Sequence, residues 1–379
     1  MTVNSHSHEP DQTDFATRAI HAGSFAGTSA PPIYQGVNAP HPEKGVAYIS
    51  EIGGVGGPTV AALQELVQEM EGAAWTVAFP AGQAAIGHTL FALLQSGDRV
   101  VAHRNIYTYA TTLLREDLPA KWGVEVEWVD MRDLTALEKA LQKPARLVYF
   151  EPITNPAFHL LDTGRICQLA HAAGALAVLD NTLLSPYLFQ PLAAGADIVI
   201  QSATKYLCGH GDALGGVVSG NEAEVGDAIV RFRRLMGGIM APMNAYLIMR
   251  GIRTLPVRME RHCQNALQVA QFLQNHPAVR EVRYPGLADY PAPAALKAQY
   301  RGFGGILGFV VDPAVDHQAV RQRVRLGHPW GSLGDVGTLV AAPGEDPFRD
   351  IPANYLRVAV GLEAPQDIIA DLDQALSST

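Results

Sequence analysis

Cysteine is scarce in the 379-residue chain: Cys167, Cys208 and Cys263 are the only three, and none stands in a Cys-x-x-Cys pair. So spaced, they give neither a disulfide framework nor a zinc or redox motif, and they fit a reducing, cytoplasmic compartment. Long apolar runs are missing too. No stretch approaches the ~20 residues of a membrane span, and the opening MTVNSHSHEPDQTD has no apolar core of signal-peptide length. His6 and His8 in that polar tail read as surface residues, not metal ligands. Charge is sparse at 17%, with 28 Lys plus Arg against 37 Asp plus Glu and a net charge of −9. Such a chain lacks the clustered positive surface that nucleic acid requires. Its densest basic run, Arg231 to Arg234 (RFRR), reads as a solvated helix face. The 36 glycines have no fixed period, which excludes collagen, and the 48% apolar fraction excludes bulk disorder. GGVGG is not followed by the Lys-Ser/Thr of a nucleotide phosphate loop, and no dinucleotide fingerprint follows the first strand.

What remains is a chain long enough for a large domain and a smaller one. Residues 15 to 60 are rich in Pro and Gly (PPIYQG, APHPEKG, GGVGGPT) and predict an extended arm that must lie on something, such as a partner subunit. GPTVAALQELVQEMEG then opens a helix: Val60, Leu63, Leu66, Val67 and Met70 form one apolar stripe, and Gly72 stops it. WTVAFP, DRVVAH, RLVYFEP, ALAVLDN and ADIVIQSA predict buried strands, with helices such as GRICQLAHAAG between some of them. That alternation argues for a parallel sheet covered on both faces. From about residue 240 a second region begins, with the helix MERHCQNALQVAQFLQNH halting at Pro277, strands REVRYPG, GGILGFVVD and YLRVAVGLE, and the closing helix PQDIIADLDQAL. The division expected is a tail and arm over 1–58, an α/β large domain over 59–240 and a small α+β domain over 241–379.

In an open parallel sheet, ligands bind beyond the carboxyl ends of the strands. WTVAF is followed by PAGQAAIGH, a small-residue turn entering a helix whose free N–H groups suit a phosphate. RLVYF is followed by Glu151 and Asn155, ALAVL by Asp180, Asn181 and Thr182, and ADIVIQ by Ser202, Thr204 and Lys205. Singly, an Asp at a strand end is as often a turn former, and a Ser-x-Thr-Lys a helix start. Together the four strand ends form a constellation.

FATRAIHAG, LDNTLLSPYL, GADIVIQSATKYLCGHGD, MRGIRTLPVRMERHCQNA and LRVAVGLE resemble the trans-sulfuration (Cys/Met metabolism) family of pyridoxal-phosphate enzymes, and the similarity runs from about Phe15 to Leu376. The resemblance implies an aspartate-aminotransferase-like α/β fold (fold type I) and pyridoxal 5'-phosphate as cofactor. It also implies a homodimer or a dimer of dimers, and γ-elimination on a sulfur amino acid of the methionine or cystathionine γ-lyase type. γ-Replacement by an O-acylhomoserine sulfhydrylase or cystathionine γ-synthase type is the alternative. By the same resemblance Lys205 carries the cofactor as a Schiff base and takes the Cα proton. Asp180 pairs with the ring nitrogen, Asn155 with the phenolic oxygen, and Tyr107 stacks on the ring and can move a proton near the leaving group. Gly82, Gln83, Ser202 and Thr204 hold the phosphate, Thr182 joins the cofactor-binding set from its strand-end turn, and Arg357 clamps the substrate carboxylate with support from Ser332. Cys208 reads as a buried small filler, and His210 has no partner spacing for a metal.

The chain also departs from the family pattern. Where relatives carry Tyr-x-Arg, donated across a dimer interface to the phosphate, this chain keeps Tyr48 but has Ser50 and Glu51 in place of the arginine. Arg104 is the candidate substitute. The loop after SLGD is trimmed to GTLVAAPGEDPFRDIPANYLRV, and Gly331 stands where cystathionine-processing members often place a Glu.

Overall fold

The computed structural model describes residues 13–22, 29–41, 45–48 and 56–377. The arm differs from the extended expectation at its start. Asp14 accepts a hydrogen bond from Ala16 N and caps a helix, α1 (Phe15–His21), whose Phe15 and Ala19 are buried. Strands β1 (Asn38–His41) and β2 (Gly45–Tyr48) then pair antiparallel. Two hydrogen bonds clip the arm to the body: Thr59 Oγ1 donates to Pro32 O and accepts from Tyr34 N, both at 2.9 Å.

Helix α2 (Pro58–Glu71) follows, with Pro in its first turn and Gly72 at its end in the left-handed region, φ 65°. Its stripe Val60, Leu63, Leu66, Val67 and Met70 is fully buried. At about 1.5–3 kcal/mol for each large apolar side chain, that burial rather than helix propensity fixes the element.

A seven-stranded sheet comes next, made of β3 (Trp75–Phe79), β4 (Arg99–His103), β5 (Glu125–Val129), β6 (Leu147–Phe150), β7 (Leu176–Asp180), β8 (Ile198–Gln201) and β9 (Gly216–Gly220). Its order is β3-β9-β8-β7-β6-β4-β5, and β9 alone runs against its neighbours. The five expected strands are all present, so β4 to β8 deliver their carboxyl ends to one rim. Between β3 and β4, helix α3 (Gly82–Leu93) covers one face. The helix Thr163–Ala172 covers the other.

The RFRR run is not uniformly solvated. Helix Ala223–Met236 packs along edge strand β3, and this turns Arg233 inward until 1% of it is exposed, while Arg231 and Arg234 stay at the surface. Arg233 Nη1 donates to Ala78 O at 2.7 Å, which satisfies an edge carbonyl. Burial with only neutral acceptors lowers its pKa to about 10.

The C-terminal part is an antiparallel sheet of β10 (Val279–Arg283), β11 (Ile306–Val311), β12 (Leu339–Ala341) and β13 (Tyr355–Ala359), in the order β10-β11-β13-β12. Helices Leu255–Gln274 and Pro365–Ser377 bury Val269, Leu273, Ile368 and Leu372 against Leu307, Phe309, Leu356 and Val358. No helix among the described residues is long and apolar enough to cross a membrane.

Candidate active site

The rim of the large sheet and the edge of the small one meet in a cleft of about 480 Å³. Its walls gather Gly82, Gln83, Tyr107, Asn155, Asp180, Thr182, Ser202, Thr204, Lys205, Ser332 and Arg357, residues drawn from five segments after large-sheet strands and two small-sheet segments.

The floor is set by β7 and β8. Asp180 ends β7 and is buried, and its Oδ1 accepts from Thr182 N at 2.9 Å and Thr182 Oγ1 at 2.6 Å. The same Thr182 hydroxyl accepts from Ser202 N at 2.7 Å, so one side chain ties the Asp180 turn to the start of the Ser202–Lys205 turn. Burial pushes the Asp180 carboxyl above its ordinary range, and the two Thr182 donors oppose that rise. A cation or a protonated ring nitrogen beside it would restore the ionised form.

Above it, Lys205 Nζ donates to Ser332 Oγ at 2.8 Å. Burial first, and then the Arg357 guanidinium, lower the amine's pKa. Arg357, on β13, donates to Ser332 O at 2.8 Å and to Asn155 Oδ1 at 3.3 Å, while its buried Nε has no acceptor. Glu151 accepts from Tyr107 N at 2.6 Å and from Asn155 N at 3.1 Å, so a single carboxyl fixes the backbone of both loops. Burial, then the nearby Asp180, hold Glu151 well above the usual carboxylate range. The Tyr107 hydroxyl is pushed up chiefly by burial, with further contributions from Tyr109, Asp180 and Glu151.

A phosphate-bearing ring fits these groups. Ala81, the cap of α3, gives the helix no side-chain hydrogen bond, which leaves first-turn N–H groups free for an anion. A Cβ on Gly82 would lie 2.6 Å from Ser202 Oγ, so glycine is what lets the Ser202 hydroxyl reach that helix start. Gln83 Oε1 is buried without a donor, and both hydrogen bonds to Asp180 go to Oδ1. Thr204 Oγ1 is engaged with the Gly215 backbone at 3.1 and 3.0 Å.

Tyr48, expected to reach a partner's phosphate, lies exposed on β2 and is not a wall of its own chain's cleft. Two other expectations resolve differently. Ser50 and Glu51 lie outside the described residues. Arg104 does not stand in for the missing arginine within this chain: its Nη2 pairs with Asp130 Oδ2 at 2.9 Å, away from the cleft walls. Cys208 is buried, but its thiol donates to Asp212 Oδ1 at 3.0 Å instead of simply filling space. Among the described residues no group of three or more His, Cys, Asp or Glu is placed to hold a metal.

Sequence reasoning noted Glu151 without giving it a role, although it follows β6 as Asp180 follows β7. It gave no place to Arg349. Arg349 Nη1 donates to Thr108 Oγ1 at 2.9 Å and Nη2 to Ile106 O and Asn155 O at 2.8 Å, which rivets the trimmed loop to the cleft.

Residues 16–377 match the family model described as Cys/Met metabolism PLP-dependent enzyme. The L-methionine gamma-lyase of Pseudomonas putida is 36% identical, over 96% of this chain and 98% of that one. The cystathionine gamma-lyase of Bacillus subtilis strain 168 is 35% identical, over 96% and 99%. Among solved structures, cystathionine gamma synthase from Xanthomonas oryzae pv. oryzae, in complex with aminoacrylate and cysteine, superposes with a TM-score of 0.90 at 33% identity, over 96% of this chain and 98% of that one.

Proposed function

We propose that this chain, which belongs to the Cys/Met metabolism PLP-dependent enzyme family, is a γ-lyase that cleaves a sulfur-containing amino acid to 2-oxobutanoate, ammonia and a thiol. Pyridoxal phosphate is its cofactor, and when bound it supplies the electron sink that makes loss of a Cα proton feasible. The observation that carries the reading is Lys205, a half-buried amine with a depressed pKa on one wall with Ser332, while Asp180 and Arg357 line the same cleft.

The chain's own residues divide the work. Gly82, Gln83 and Ser202 would hold the phosphate, with Thr204 bracing their turn through the Gly215 backbone; Asp180 would keep the proton on the ring nitrogen, and Asn155 would donate to the phenolic oxygen. Arg357 binds the substrate carboxylate through its planar fork. Lys205, whose environment favours the neutral amine, accepts the Cα proton and returns it where the chemistry needs it. Tyr107, on the cleft wall, would protonate the departing sulfur; its raised pKa keeps the hydroxyl protonated for that step. The exposed Tyr48 arm is read as reaching a second copy's phosphate, which makes a homodimer the smallest complete unit.

The test is 2-oxobutanoate release by cofactor-loaded enzyme from L-methionine and L-cystathionine, with and without sulfide. Keto acid from either, unchanged by sulfide, supports the lyase. The likeness to a cystathionine gamma synthase favours one second reading, γ-replacement. Keto acid from an O-acyl-L-homoserine that falls as sulfide is added, with homocysteine appearing, would replace the lyase reading with that one.

A further inference from the structure

Next to the cleft lies a second chamber of about 330 Å³, which shares Tyr107, Thr108, Asn155, Gly331 and Arg357 with it. Its remaining walls come from β12 and its exit (Ala341 to Pro343), Pro156, and two further arginines, Arg321 and Arg349. Three guanidinium groups therefore line one small space, and no acidic side chain lines it. Their visible partners are neutral. Arg321 donates through Nε and Nη2 to Pro329 O, Arg349 to two backbone carbonyls and a threonine hydroxyl, and Arg357 to Ser332 O and Asn155 Oδ1. Among the described residues none of the three forms a salt bridge, and the Nε atoms of Arg349 and Arg357 are buried without an acceptor. Arg349 is only 8% exposed, so its charge is poorly hydrated; burial lowers its pKa, and Glu151 and Asp346, neither of them a wall of the chamber, oppose that from a distance without pairing with it.

Gly331 is the junction between the two spaces. A Cβ there would meet no heavy atom within 4 Å, so packing does not demand glycine. The missing side chain leaves the passage open and leaves the chamber without a carboxylate of its own. One guanidinium is needed for the substrate's α-carboxylate; the other two have no use in the chemistry already assigned.

We propose that this chamber is a specificity subsite for an anionic group on the far end of the substrate's γ-substituent, so that the preferred substrate is an amino acid with a carboxylate-bearing thioether tail. The inference rests on reading the main cleft as the substrate site. Arg349 and Arg321 pair with the distal carboxylate, and with no acidic wall the chamber offers a distal ammonium nothing.

The matched substrates are S-(2-carboxyethyl)-L-homocysteine and S-propyl-L-homocysteine, close in length and different in charge, assayed with holoenzyme by 2-oxobutanoate release. The expected kcat/KM ratio is at least tenfold in favour of the carboxylated thioether, which leaves as 3-mercaptopropionate. Arg321→Gln, on a partly exposed helix, should cut that ratio at least fivefold. Gly331→Glu, whose Cβ enters open space, should cut it further by setting a carboxylate at the passage. A wild-type ratio near one, or a ratio unmoved by both variants, overturns the proposal while the elimination reading stands. If neither thioether releases keto acid, binding decides the subsite, and the elimination reading stands or falls separately on L-methionine and L-cystathionine. Glutarate that perturbs the bound cofactor's absorbance at least tenfold more tightly than butyrate, and loses that advantage in Arg321→Gln, supports it. Equal binding of the two acids overturns it.

Discussion

Lys205 Nζ and Ser332 Oγ are 2.8 Å apart and 127 positions apart in the chain. The first stands on the turn that leaves β8 of the large sheet, the second on the loop that leads toward β12 of the small one. The amine is therefore oriented by the same loop that holds Arg357, whose Nη2 donates to Ser332 O at 2.8 Å. Groups assigned to proton transfer and to carboxylate binding are thus held in one register, and a shift of the small sheet would disturb both.

Lys205→Ala should abolish covalent cofactor attachment and lower kcat by at least ~10³-fold, in the range expected when a positioned proton-transfer group and its covalent function are lost together. Borohydride reduction of the holoenzyme followed by peptide mass spectrometry should place the cofactor's mass on the Lys205 peptide. Label found on another lysine would remove the assignment.

Arg357 should be felt by Lys205 at a distance. Burial is the larger cause of the depressed lysine pKa, and the Arg357 charge adds to it. Arg357→Gln should therefore raise the pKa of that amine, leave less of it neutral at pH 7, and shift the pH midpoint for cofactor attachment upward. Stopped-flow reconstitution of cofactor-free protein across pH measures this directly, and a midpoint moving down would contradict the electrostatic account. Substrate KM should rise in the same variant, since the carboxylate clamp is lost.

Why the cleft was so legible follows from where its residues sit. Asp180, Ser202 and Lys205 stand just past apolar runs, and a polar residue that interrupts such a run at a sheet rim has few structural reasons to be there. Strand β9, GVVSG, was not read, because its terminal glycines resemble a turn when the pairing partners, 143 residues away for Thr76 and Ser219, are unseen. The inward turn of Arg233 escaped for a similar reason, since only the packing of its helix on β3 separates it from Arg231 and Arg234. Arg349 was invisible in the segment PFRDIP because its partners Ile106 and Asn155 lie 243 and 194 positions away.

Gly82 makes the phosphate site a test of close approach. A methyl group there would lie 2.6 Å from Ser202 Oγ and 2.7 Å from Ser202 Cβ, well inside contact distance. Gly82→Ala should push Ser202 from the start of α3 and weaken cofactor affinity at least tenfold, about 1.4 kcal/mol. Equilibrium dialysis of cofactor against cofactor-free protein gives the number. Unchanged affinity would mean that Ser202 is not part of the phosphate cup.

One buried carboxyl outside the cleft should set the protein's stability against pH. Glu71 ends α2, accepts from Gln201 Nε2 at 2.8 Å, and has its Oε2 buried without a partner. Burial raises its pKa from about 4.5 to about 8, opposed only by Gln201. Below the ordinary carboxyl range both folded and unfolded chains keep this proton. Between about 4.5 and about 8 the unfolded chain has released it while the folded chain retains it, so stability falls as pH rises across that window. Glu71→Gln cannot ionise in either state and should lose the slope, so the stability difference between variant and wild type should move in the variant's favour by on the order of 3 kcal/mol from pH 5 to pH 8. Urea unfolding of cofactor-free protein at the two pH values, with the variant as reference, cancels every other titrating group. Because Gln201 directly precedes Ser202, the wild type should also hold its cofactor less firmly than the variant at the alkaline end. Parallel slopes for the two proteins would mean that Glu71 is already ionised in the folded chain and that Gln201 holds it more effectively than a single amide should.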